Sequence, residues 1–418
     1  MTPWPGFVLL EKRVKGEHLR FDGGKSGDPG ADQIIRRGGD LAQSSGVEGR
    51  DEFPYEIIRR MGEEGFYGAC FPEEYGGSEL GFLNLAIICE EISRVSPGIG
   101  STFNAQAMTV PFTILNWGTK QQIERYVPPL IQGEKIGFFS LTEPGGGSDA
   151  AGSMKTRASR DGADGYLLDG HKKWASLAGI AHTGVLFAKM GPEATHKGVS
   201  AFIVETDAPG FVTRKIPTTL DMHLFPSFEI LLEDCRVPSG NLLGDEGDGF
   251  RVAMNALDFG RLTIPARAVG VAQACLDRAV EFCNERVVGG HCLGEYQLIQ
   301  GLIADMTVQI EAARLLTYKS AHLKDRGEAT TRESAHSKYF AAETLWNAAQ
   351  ALAEIYGGRA VALEDEYPVS RYLSWANLFR TGEGPQNVQR VLISEDTLGF
   401  KDANRHNIKR RFPLKSDL

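Results

Sequence analysis

The spacing of apolar residues changes twice along the chain. Up to about residue 134, apolar residues recur every three or four positions, as in "LNLAIICEEISRV" and "TKQQIERYVPPLIQG", which predicts helices. Between about residues 135 and 240, alternation and short apolar runs such as "GVSAFIVET" predict strands joined by hairpin turns. Helical spacing then returns and continues towards the C-terminus.

The C-terminal part contains long helical segments. Three amphipathic stretches of roughly 25 residues would each extend about 37 Å at the α-helical rise, and a shorter one lies near "GPQNVQRVLISEDTL". Together they predict a four-helix bundle. The sequence therefore predicts an α+β chain in four parts: a flexible leader over residues 1–30, a helical domain over 31–134, a β domain over 135–245 and a helical bundle over 246–418.

Composition and charge argue against several classes of function. A net charge of −9, from 45 basic and 54 acidic residues among 418, opposes binding to nucleic acid or to an anionic membrane. No apolar run approaches the roughly 18 residues of a membrane span, and the N-terminal segment lacks a signal-peptide pattern. The six cysteines include no C-x-x-C pair, so we expect reduced thiols and no metal site. These features predict a cytoplasmic protein without a nucleic-acid or membrane partner.

One stretch, "TEPGGGSD" at residues 142–149, is rich in glycine. Gly145, Gly147 and Ala150 fit the G-x-G-x-x-G/A dinucleotide pattern, and Asp169 lies about 20 residues on, where that motif places its ribose-binding acid. The pattern has meaning only where a strand leads into a crossover helix, and the following residues show no helical spacing. They predict two short strands joined by the turn "RDGADG", so we reject a Rossmann fold.

The segment "FFSLTEPGGGSD", together with the helical, β, helical order, resembles the flavin-dependent acyl-CoA dehydrogenase family from about residue 52 to residue 399. The resemblance implies an α+β fold with an N-terminal helical domain, a central β-barrel-like domain and a C-terminal four-helix bundle. It also implies an enzyme that binds FAD and oxidises the α and β carbons of an acyl-CoA. In the family, the loop that contains Phe139, Thr142 and Ser148 lines the pyrimidine edge of the flavin and the pantetheine arm of CoA.

A second segment, "KKWASLAG", resembles another flavin-contacting segment of the family. The resemblance implies that Trp174 stacks at the flavin ring and that the hydroxyl two residues later hydrogen-bonds flavin N5. That hydroxyl is Ser176 here, where the family usually has threonine. Either side chain offers a donor, so we expect function to survive this difference. Taken alone, Trp174 would be interpreted as an ordinary core aromatic of a strand.

The segment "FRTGEGPQNVQR" places Glu383 where the family keeps its catalytic glutamate. Oxidation at an unactivated Cα–Cβ bond needs a base for the α-proton, and burial raises the pKa of a carboxyl group and makes it a better base. The resemblance further implies that the thioester oxygen is stabilised by the backbone N–H of Glu383 and by a flavin ribityl hydroxyl. Some branches of the family carry the base just before Arg261, but that position is Gly260 here. The alternative for Glu383 is a helix-capping or solvated acid.

Four residues are implied to contact the acyl-CoA substrate: Ser148, Asp258, Arg261 and Gly384. The guanidinium of Arg261 suits an anionic nucleotide. For Asp258 and Arg261, an ion pair on a helix surface at three-residue spacing is a comparably strong interpretation.

For the FAD pyrophosphate and adenine, the resemblance implies contacts from Arg286, Gln297, Gly357 and Gly358 that reach across a subunit interface. We therefore expect a homotetramer, or at least a dimer. The chain has "ERVVGG" where the family has an aromatic residue, and Gly289 occupies that position. Either FAD is held less tightly, or another aromatic side chain takes this place.

The sequence constrains the acyl group less. Glutaryl-CoA dehydrogenases, which also resemble the chain, keep an arginine for the distal carboxylate at the position of Gly100, so a dicarboxylic substrate is disfavoured. Beside the base, Gly382 and Pro385 replace a usual aromatic residue and a usual threonine, which favours a branched, cyclic or otherwise bulky acyl group. A dehydrogenase of this family passes its electrons to an electron-transfer flavoprotein. Two alternatives stay open: a flavin oxidase or monooxygenase of the same fold, and a non-catalytic CoA-binding scaffold.

Overall fold

The structure is a computed structural model and describes residues 53–162, 164–191, 196–218, 222–362 and 368–406. The predicted leader over residues 1–30 lies outside these residues, as does most of the basic segment "NRHNIKRRFPLK". The described residues form two compact units. A helical unit takes residues 80–100 and those from 261 onward, and a second unit takes the residues up to 79 and residues 101–260.

The N-terminal part is helical, as its apolar spacing predicts. Its α-helices are α1 Tyr55–Glu63, α2 Gly81–Val95, α3 Pro97–Asn104, α4 Pro111–Trp117 and α5 Lys120–Ile131. A capping box begins α5: the backbone N–H of Gln122 donates to the Thr119 hydroxyl (3.2 Å), and the backbone N–H of Thr119 donates to the Gln122 side chain (2.8 Å). Pro111 opens α4, where its missing N–H costs no hydrogen bond.

Strands of the second unit form a mixed sheet. Their order across the sheet is β6-β7-β3-β2-β4-β5-β8, and β1 pairs with β4 in parallel. The strands are β1 Gly137–Ser140, β2 Arg157–Asp161, β3 Gly165–Ser176, β4 Thr183–Lys189, β5 Val199–Glu205, β6 Phe211–Lys215, β7 Ser227–Pro238 and β8 Leu242–Leu243. Burial along almost the whole length of β4 and β5 explains their continuous apolar runs.

The hairpin predicted at "RDGADG" is confirmed. β2 and β3 pair antiparallel, with Asp161 opposite Gly165. Asp169 lies on β3, and its carboxylate accepts a hydrogen bond from the backbone N–H of Asp234 (2.9 Å). The glycine-rich loop therefore leads from β1 to an antiparallel strand pair and not to a crossover helix, which confirms the rejection of a Rossmann fold.

Helices return after the sheet, and the predicted α+β organisation is confirmed. They are α6 Gly249–Glu285, α7 Gln297–Asp325, α8 Thr331–Tyr356, α9 Val369–Thr381 and α10 Gln386–Thr397, with a small hairpin of β9 Val287–Val288 and β10 His291–Cys292 between α6 and α7. At 37 residues, α6 is longer than the roughly 25 residues predicted for each long segment, because it continues through Pro265. The sequence did not predict α9, which leads into the segment that contains Glu383. None of the described helices has the length and apolar character of a membrane span.

Polar side chains, most of them buried, join the helices of the helical unit. Glu90 on α2 accepts hydrogen bonds from Arg314 Nε (2.7 Å) and from the Tyr318 hydroxyl (2.8 Å), both on α7. Asp325 at the end of α7 accepts a hydrogen bond from the backbone N–H of Phe82 (2.6 Å) and so caps the start of α2. These pairs satisfy charges that burial would otherwise make unfavourable.

Candidate functional site

The loop that follows β1 is fixed by one buried carboxylate. Glu143 accepts hydrogen bonds from the backbone N–H groups of Lys155 (2.6 Å) and Thr156 (3.0 Å) and from Lys172 Nζ on β3 (2.9 Å). Its own backbone N–H and carbonyl bond to Gly146, which closes a tight turn. The acid of the motif thus ties the glycine-rich loop to β3 and to the segment before β2.

The side chains of Lys172 and Glu143 are only 0% and 5% exposed. Burial lowers the pKa of Lys172 to about 8, although the charge of Glu143 opposes this fall. Burial also acts to raise the pKa of Glu143, but Lys172 and the hydrogen bonds from Thr156 and Lys155 outweigh it and hold that pKa below its ordinary value. A desolvated charge pair therefore anchors a largely exposed loop.

The glycines at positions 145 and 147 serve no packing need within the described protein. A Cβ at Gly145 or Gly147 would meet no protein atom within 4 Å. Gly146 differs, since a Cβ there would lie 1.8 Å from the Ser153 hydroxyl. Bare backbone at the two open positions is what the close approach of a ligand requires.

Trp174 is turned outward by an irregularity in β3. The register between β3 and β7 shifts between Lys172 and Ala175, which marks a β-bulge. Within it, Trp174 has φ +60° and is 54% exposed. Lys173 Nζ lies 5.5 Å from the centroid of the indole ring, and the backbone N–H of Lys173 donates to the Thr142 carbonyl (2.9 Å). The exposure excludes the interpretation of Trp174 as a core aromatic, and strained backbone of this kind is typical of a functional position.

The other predicted flavin residues lie on β1, on β3 and in the loop. Phe139 is half-buried on β1, Ser176 ends β3 two residues after Trp174, and Ser148 is exposed in the glycine-rich loop. With Thr142, these residues offer an aromatic face and hydroxyl donors. Such a set suits a heteroaromatic ring with hydrogen-bonding edges, so the residues of this unit fit the isoalloxazine of FAD.

Glu383 lies in the short connection between α9 and α10, in the helical unit. α9 ends where the backbone N–H of Gly382 bonds to the Leu378 carbonyl (2.8 Å), and α10 begins after Pro385. Glu383 has φ +53° and Gly384 has φ +97°. Left-handed backbone is unfavourable for a residue with a side chain, and such strain at Glu383 is typical of a functional position.

Two side chains hold the backbone of this connection. Arg261 Nε on α6 donates to the Glu383 carbonyl (3.4 Å), and Gln389 Nε2 on α10 donates to the Gly384 carbonyl (3.0 Å). A Cβ at Gly384 would lie 2.9 Å from Gln389 Nε2, so packing as well as backbone angle favours glycine there. Asp258 and Arg261 are both buried and so do not belong to an exposed helix surface. Their contacts with CoA stay predictions.

The carboxylate of Glu383 lies beside a buried cation that sequence patterns did not reveal. Arg267 Nη2 on α6 is 3.5 Å from Glu383 Oε1, and the two side chains are 4% and 19% exposed. Burial lowers the pKa of Arg267, and the charge of Glu383 opposes this fall. The sequence feature that could have indicated a buried cation is an arginine that lies among small apolar residues in "IPARAVGVA".

A buried lysine on α8 holds both ends of the connection, and the sequence did not single it out. Lys338 Nζ donates to the Arg380 carbonyl (3.2 Å) at the end of α9 and to Gln386 Oε1 (3.1 Å) at the start of α10. Gln386 Nε2 in turn donates to the Tyr339 carbonyl on α8 (2.9 Å). Burial lowers the pKa of Lys338 to about 8. One helix therefore fixes the segment that carries the predicted base.

The residues implied for the FAD pyrophosphate and adenine lie at helix ends of the helical unit. The ends of α6 and α8 pack together through Phe282 and Tyr356, whose ring centroids are 4.4 Å apart. The four predicted residues are exposed and sit after α6, at the start of α7 and after α8: Arg286, Gln297, Gly357 and Gly358.

Another aromatic side chain, that of Tyr296, lies beside the turn at Gly289. Gly289 (φ +60°) and Gly290 (φ +88°) join β9 to β10, and two successive positive φ angles are typical of a type I′ hairpin turn. The Tyr296 hydroxyl donates to the Val288 carbonyl (2.6 Å) and lies 3.1 Å from the position of a Cβ on Gly289. Tyr296 is 39% exposed, so its ring is available to a ligand at this turn.

Comparison with known proteins gives a single family. Family models for the N-terminal, middle and C-terminal domains of acyl-CoA dehydrogenases match residues 42–134, 138–235 and 247–398. The chain is 39% identical over 363 residues to a glutaryl-CoA dehydrogenase from Desulfococcus multivorans, and the match covers 86% of this chain and 92% of that protein.

Solved structures with this fold include a dehydrogenase and an oxidase. A glutaryl-coenzyme A dehydrogenase in complex with glutaryl-CoA matches with a TM-score of 0.86 and 36% identity, over 92% of this chain and 98% of that chain. The prolyl acyl carrier protein oxidase AnaB matches with a TM-score of 0.82 and 27% identity, over 89% and 99%. The fold alone therefore does not separate the two activities.

Proposed function

Because the chain belongs to the acyl-CoA dehydrogenase family, we propose that it oxidises the α and β carbons of an acyl-CoA thioester with Glu383 as the base. The family consists of FAD-dependent oxidoreductases that act on CH–CH groups, and this chain is such a flavoprotein enzyme. The observation that carries the proposal is the environment of Glu383, a largely buried glutamate on strained backbone beside a guanidinium. A carboxylate held at a fixed position in a largely buried site can serve as a base for a substrate proton.

In the proposed reaction, Glu383 removes the α-proton, and the electrons of that C–H bond form the Cα=Cβ double bond while the β-hydrogen leaves as hydride. FAD supplies the two-electron acceptor for this hydride. The backbone N–H of Glu383 donates to the thioester oxygen, where negative charge develops as the proton leaves. Arg261 and Gln389 hold this backbone and Lys338 holds both ends of the connection, so the position of the base is set before substrate binds.

We assign the cofactor to two groups of residues. The exposed ring of Trp174 supports a stacking role at the flavin, and the ring of Tyr296 supports a replacement for the aromatic residue missing at Gly289. The flavin group comprises Phe139, Thr142, Ser148, Trp174 and Ser176. The pyrophosphate and adenine group comprises Arg286, Gln297, Gly357, Gly358 and Tyr296.

For the acyl-CoA we assign Ser148, Asp258, Arg261 and Gly384. A Cβ at Gly382 would lie 3.7 Å from Ile264 Cδ1, so the aromatic residue that the family has at position 382 would occupy space beside the base. Glycine leaves this space to the substrate, which supports a branched, cyclic or otherwise bulky acyl group.

We further propose an electron-transfer flavoprotein as the electron acceptor, a homotetramer or dimer as the assembly, and a cytoplasmic location. The oxidase is a second candidate, because the likeness to AnaB extends over nearly the whole chain. The two activities differ in how the reduced flavin reacts with oxygen: an oxidase is reoxidised rapidly in air, and a dehydrogenase that uses an electron-transfer flavoprotein is not.

The function is tested by anaerobic titration of the purified, FAD-loaded protein with straight, branched and cyclic acyl-CoAs, followed by flavin absorbance. We expect one class to bleach the flavin. Glu383→Gln is expected to bind FAD normally and to slow bleaching by about 10²–10⁴-fold, because the base for the α-proton is removed. Glu124→Gln, an equally conservative change at an exposed position of α5, serves as the matched control.

Each outcome selects a different interpretation. Unchanged turnover by Glu383→Gln would refute its role as the base. A bound flavin that no acyl-CoA bleaches would refute the dehydrogenation, and rapid reoxidation in air would favour the oxidase. Failure to bind added FAD would favour the CoA-binding scaffold.

A further inference from the structure

Arg267 of α6 is a buried cation beside the proposed base. Its side chain is only 4% exposed, so its charge has little contact with water. The guanidinium lies 5.2 Å from the ring centroid of Phe379 on α9, and it interacts electrostatically with Cys89 on α2. Cys89 does not act as a counter-ion at neutral pH, because burial raises the pKa of its thiol to about 12. Aromatic and uncharged groups therefore make up much of the surroundings of Arg267.

This guanidinium uses little of its hydrogen-bonding capacity. A guanidinium offers five N–H donors and no acceptor. Among the described residues, Nη2 of Arg267 makes a long, 3.5 Å hydrogen bond to Glu383 Oε1, and the buried Nε has no acceptor. A buried donor without an acceptor is unfavourable, and more so on a charged group. Nε is therefore suited to an acceptor that the chain itself does not supply.

The charge of Arg267, in contrast, is already balanced. As the proposed base, Glu383 is ionised before it takes a proton, so the two side chains together carry no net charge. A second carboxylate at Arg267 would lie close to Glu383 and would be repelled by it. The pair therefore calls for an acceptor without charge. A ketone oxygen is such an acceptor, whereas a hydroxyl would bring a donor that also needs a partner.

The space beside Gly382 lies along the same face of α6 as Arg267. A Cβ at Gly382 would lie 3.7 Å from Ile264 Cδ1. Ile264 and Arg267 are three residues apart on α6, and residues at this spacing share a helix face. A branched or cyclic acyl group that fills the space beside Ile264 therefore extends along the helix face that carries the guanidinium.

We propose that Arg267 donates a hydrogen bond from Nε to a ketone on the acyl group, and that the substrate is the CoA thioester of a branched or cyclic oxo acid. This inference rests on the proposed function and narrows the acyl group of the same site. A base comes within about 3 Å of the carbon that it deprotonates, which places the guanidinium within roughly 6–7 Å of the α-carbon. In a six-membered ring, a ketone oxygen opposite the α-carbon lies about 4 Å from it, and a hydrogen bond adds about 3 Å.

The ketone is unchanged in the reaction. Glu383 takes the α-hydrogen as a proton, the electron pair of that bond becomes the second bond of the 2-enoyl product, and the β-hydrogen leaves as hydride to FAD. Protonation of Glu383 removes the charge that balances Arg267, and the ketone then remains as a partner of the buried guanidinium. The hydrogen bond is therefore stronger after proton transfer than before, so it raises the rate of reduction more than the affinity.

The first test compares two ligands on the FAD-loaded wild-type protein. They are 4-oxocyclohexane-1-carboxyl-CoA and its 4-methylidene analogue, in which a methylene group replaces the ketone oxygen at nearly the same size. The rate of flavin reduction is measured by stopped-flow absorbance without oxygen. We expect the ketone to react at least tenfold faster, because the analogue cannot accept a hydrogen bond from a charged donor. An equal or faster rate with the analogue would overturn the proposal without recourse to any variant.

A third ligand distinguishes a neutral acceptor from an anion. In 4-carboxycyclohexane-1-carboxyl-CoA, a carboxylate stands in place of the ketone. Because Glu383 repels this carboxylate, we expect the ligand to reduce the flavin no faster than the methylidene analogue does. Faster reduction by the carboxylate than by the ketone would overturn the proposal.

The second test repeats the comparison of ketone and methylidene analogue with variants. Arg267→Met is expected to abolish the preference for the ketone, Arg267→Lys to retain part of it, and the exposed control Arg125→Met to retain all of it. Equal slowing of both ligands by Arg267→Met would show that Arg267 only positions Glu383, and would overturn the proposal. A preference that persists in Arg267→Met would be an electronic effect of the ketone itself and would overturn the proposal equally.

Calorimetry on the same proteins separates this inference from the proposed function. Flavin reduction at equal rates by the ketone and by cyclohexane-1-carboxyl-CoA would overturn the inference and leave the dehydrogenation intact. Tighter binding of the ketone that depends on Arg267, without reduction of the flavin by any acyl-CoA, would support the binding site and overturn the dehydrogenation.

Discussion

The buried pair of Lys172 and Glu143 gives a quantitative test of how the glycine-rich loop is held. The pKa of Lys172 falls from 10.5 to about 8. A fall of about 2.5 units corresponds to roughly 3 kcal/mol at 1.36 kcal/mol per unit. This is the net cost of keeping Lys172 charged, with the attraction to Glu143 already included. The pair therefore holds the loop in place without stabilising the fold as a whole.

Lys172→Met removes the charge and leaves Glu143 with the backbone N–H groups of Lys155 and Thr156. An uncompensated buried carboxylate is unfavourable, so we expect the free energy of unfolding at pH 7 to fall by about 3 kcal/mol. The double variant Glu143→Gln/Lys172→Met removes both charges and should lie within about 1 kcal/mol of wild type. A double-mutant cycle, which adds the single variant Glu143→Gln, should then give a coupling energy between the two residues of about 2 kcal/mol or more.

The pH dependence of this effect has a definite sign. Lys172 releases its proton near pH 8 in the folded protein and near pH 10.5 in the unfolded chain, so the unfolded chain binds more protons between these values. The contribution of Lys172 to the free energy of unfolding therefore rises with pH, by roughly 2 kcal/mol between pH 8 and 9.5. Lys172→Met lacks this contribution, so its deficit relative to wild type should widen as the pH rises.

The assay is urea unfolding followed by circular dichroism at fixed protein and FAD concentrations, with the rate of FAD release as a second readout. Lys120→Met is the matched control, because its ion pair with Glu124 is exposed and should contribute nothing measurable. The reasoning is refuted if the single variants each cost less than about 1 kcal/mol and add in the double variant. A deficit that narrows as the pH rises would refute it equally.

Two further predictions concern the cofactor and the core. Tyr296→Ala should weaken FAD binding about fivefold, and Tyr296→Phe should not, because an aromatic ring is worth about 1 kcal/mol in such a contact. Fluorescence of released flavin measures the affinity of both variants, and equal affinities of Tyr296→Ala and wild type would contradict the assignment. Arg314→Met leaves the buried Glu90 carboxylate without the guanidinium that pairs with it. We expect this variant to lower the free energy of unfolding, measured by urea denaturation, by about 3–5 kcal/mol. Arg59→Met, which breaks an exposed ion pair, should leave it unchanged; a similar result for both variants would show that burial of the pair has no effect.

Local patterns in the sequence determined the order of the elements and two segments of the candidate site. Apolar periodicity and turn residues act over a few positions, which is why the hairpin at "RDGADG" and the α+β order could be predicted. Glu383 was identified from the resemblance of the short segment "FRTGEGPQNVQR" to a family motif, which is also a local feature of the sequence. The continuity of α6 through Pro265 could not be predicted this way, because proline ordinarily interrupts a helix.

Tertiary structure decided which charged groups surround the candidate base. Arg267 and Glu383 are 116 residues apart, and Lys338 lies 48 residues before its partner Gln386. No periodicity relates positions at such separations. The sequence shows Glu383 only as an isolated carboxyl group among glycine and proline, whereas folding brings the guanidinium of Arg267 to 3.5 Å from it. The sequence therefore determined which residue is the candidate base, and the packing of α6, α8, α9 and α10 determined its electrostatic environment, because charge interactions depend on distance in space.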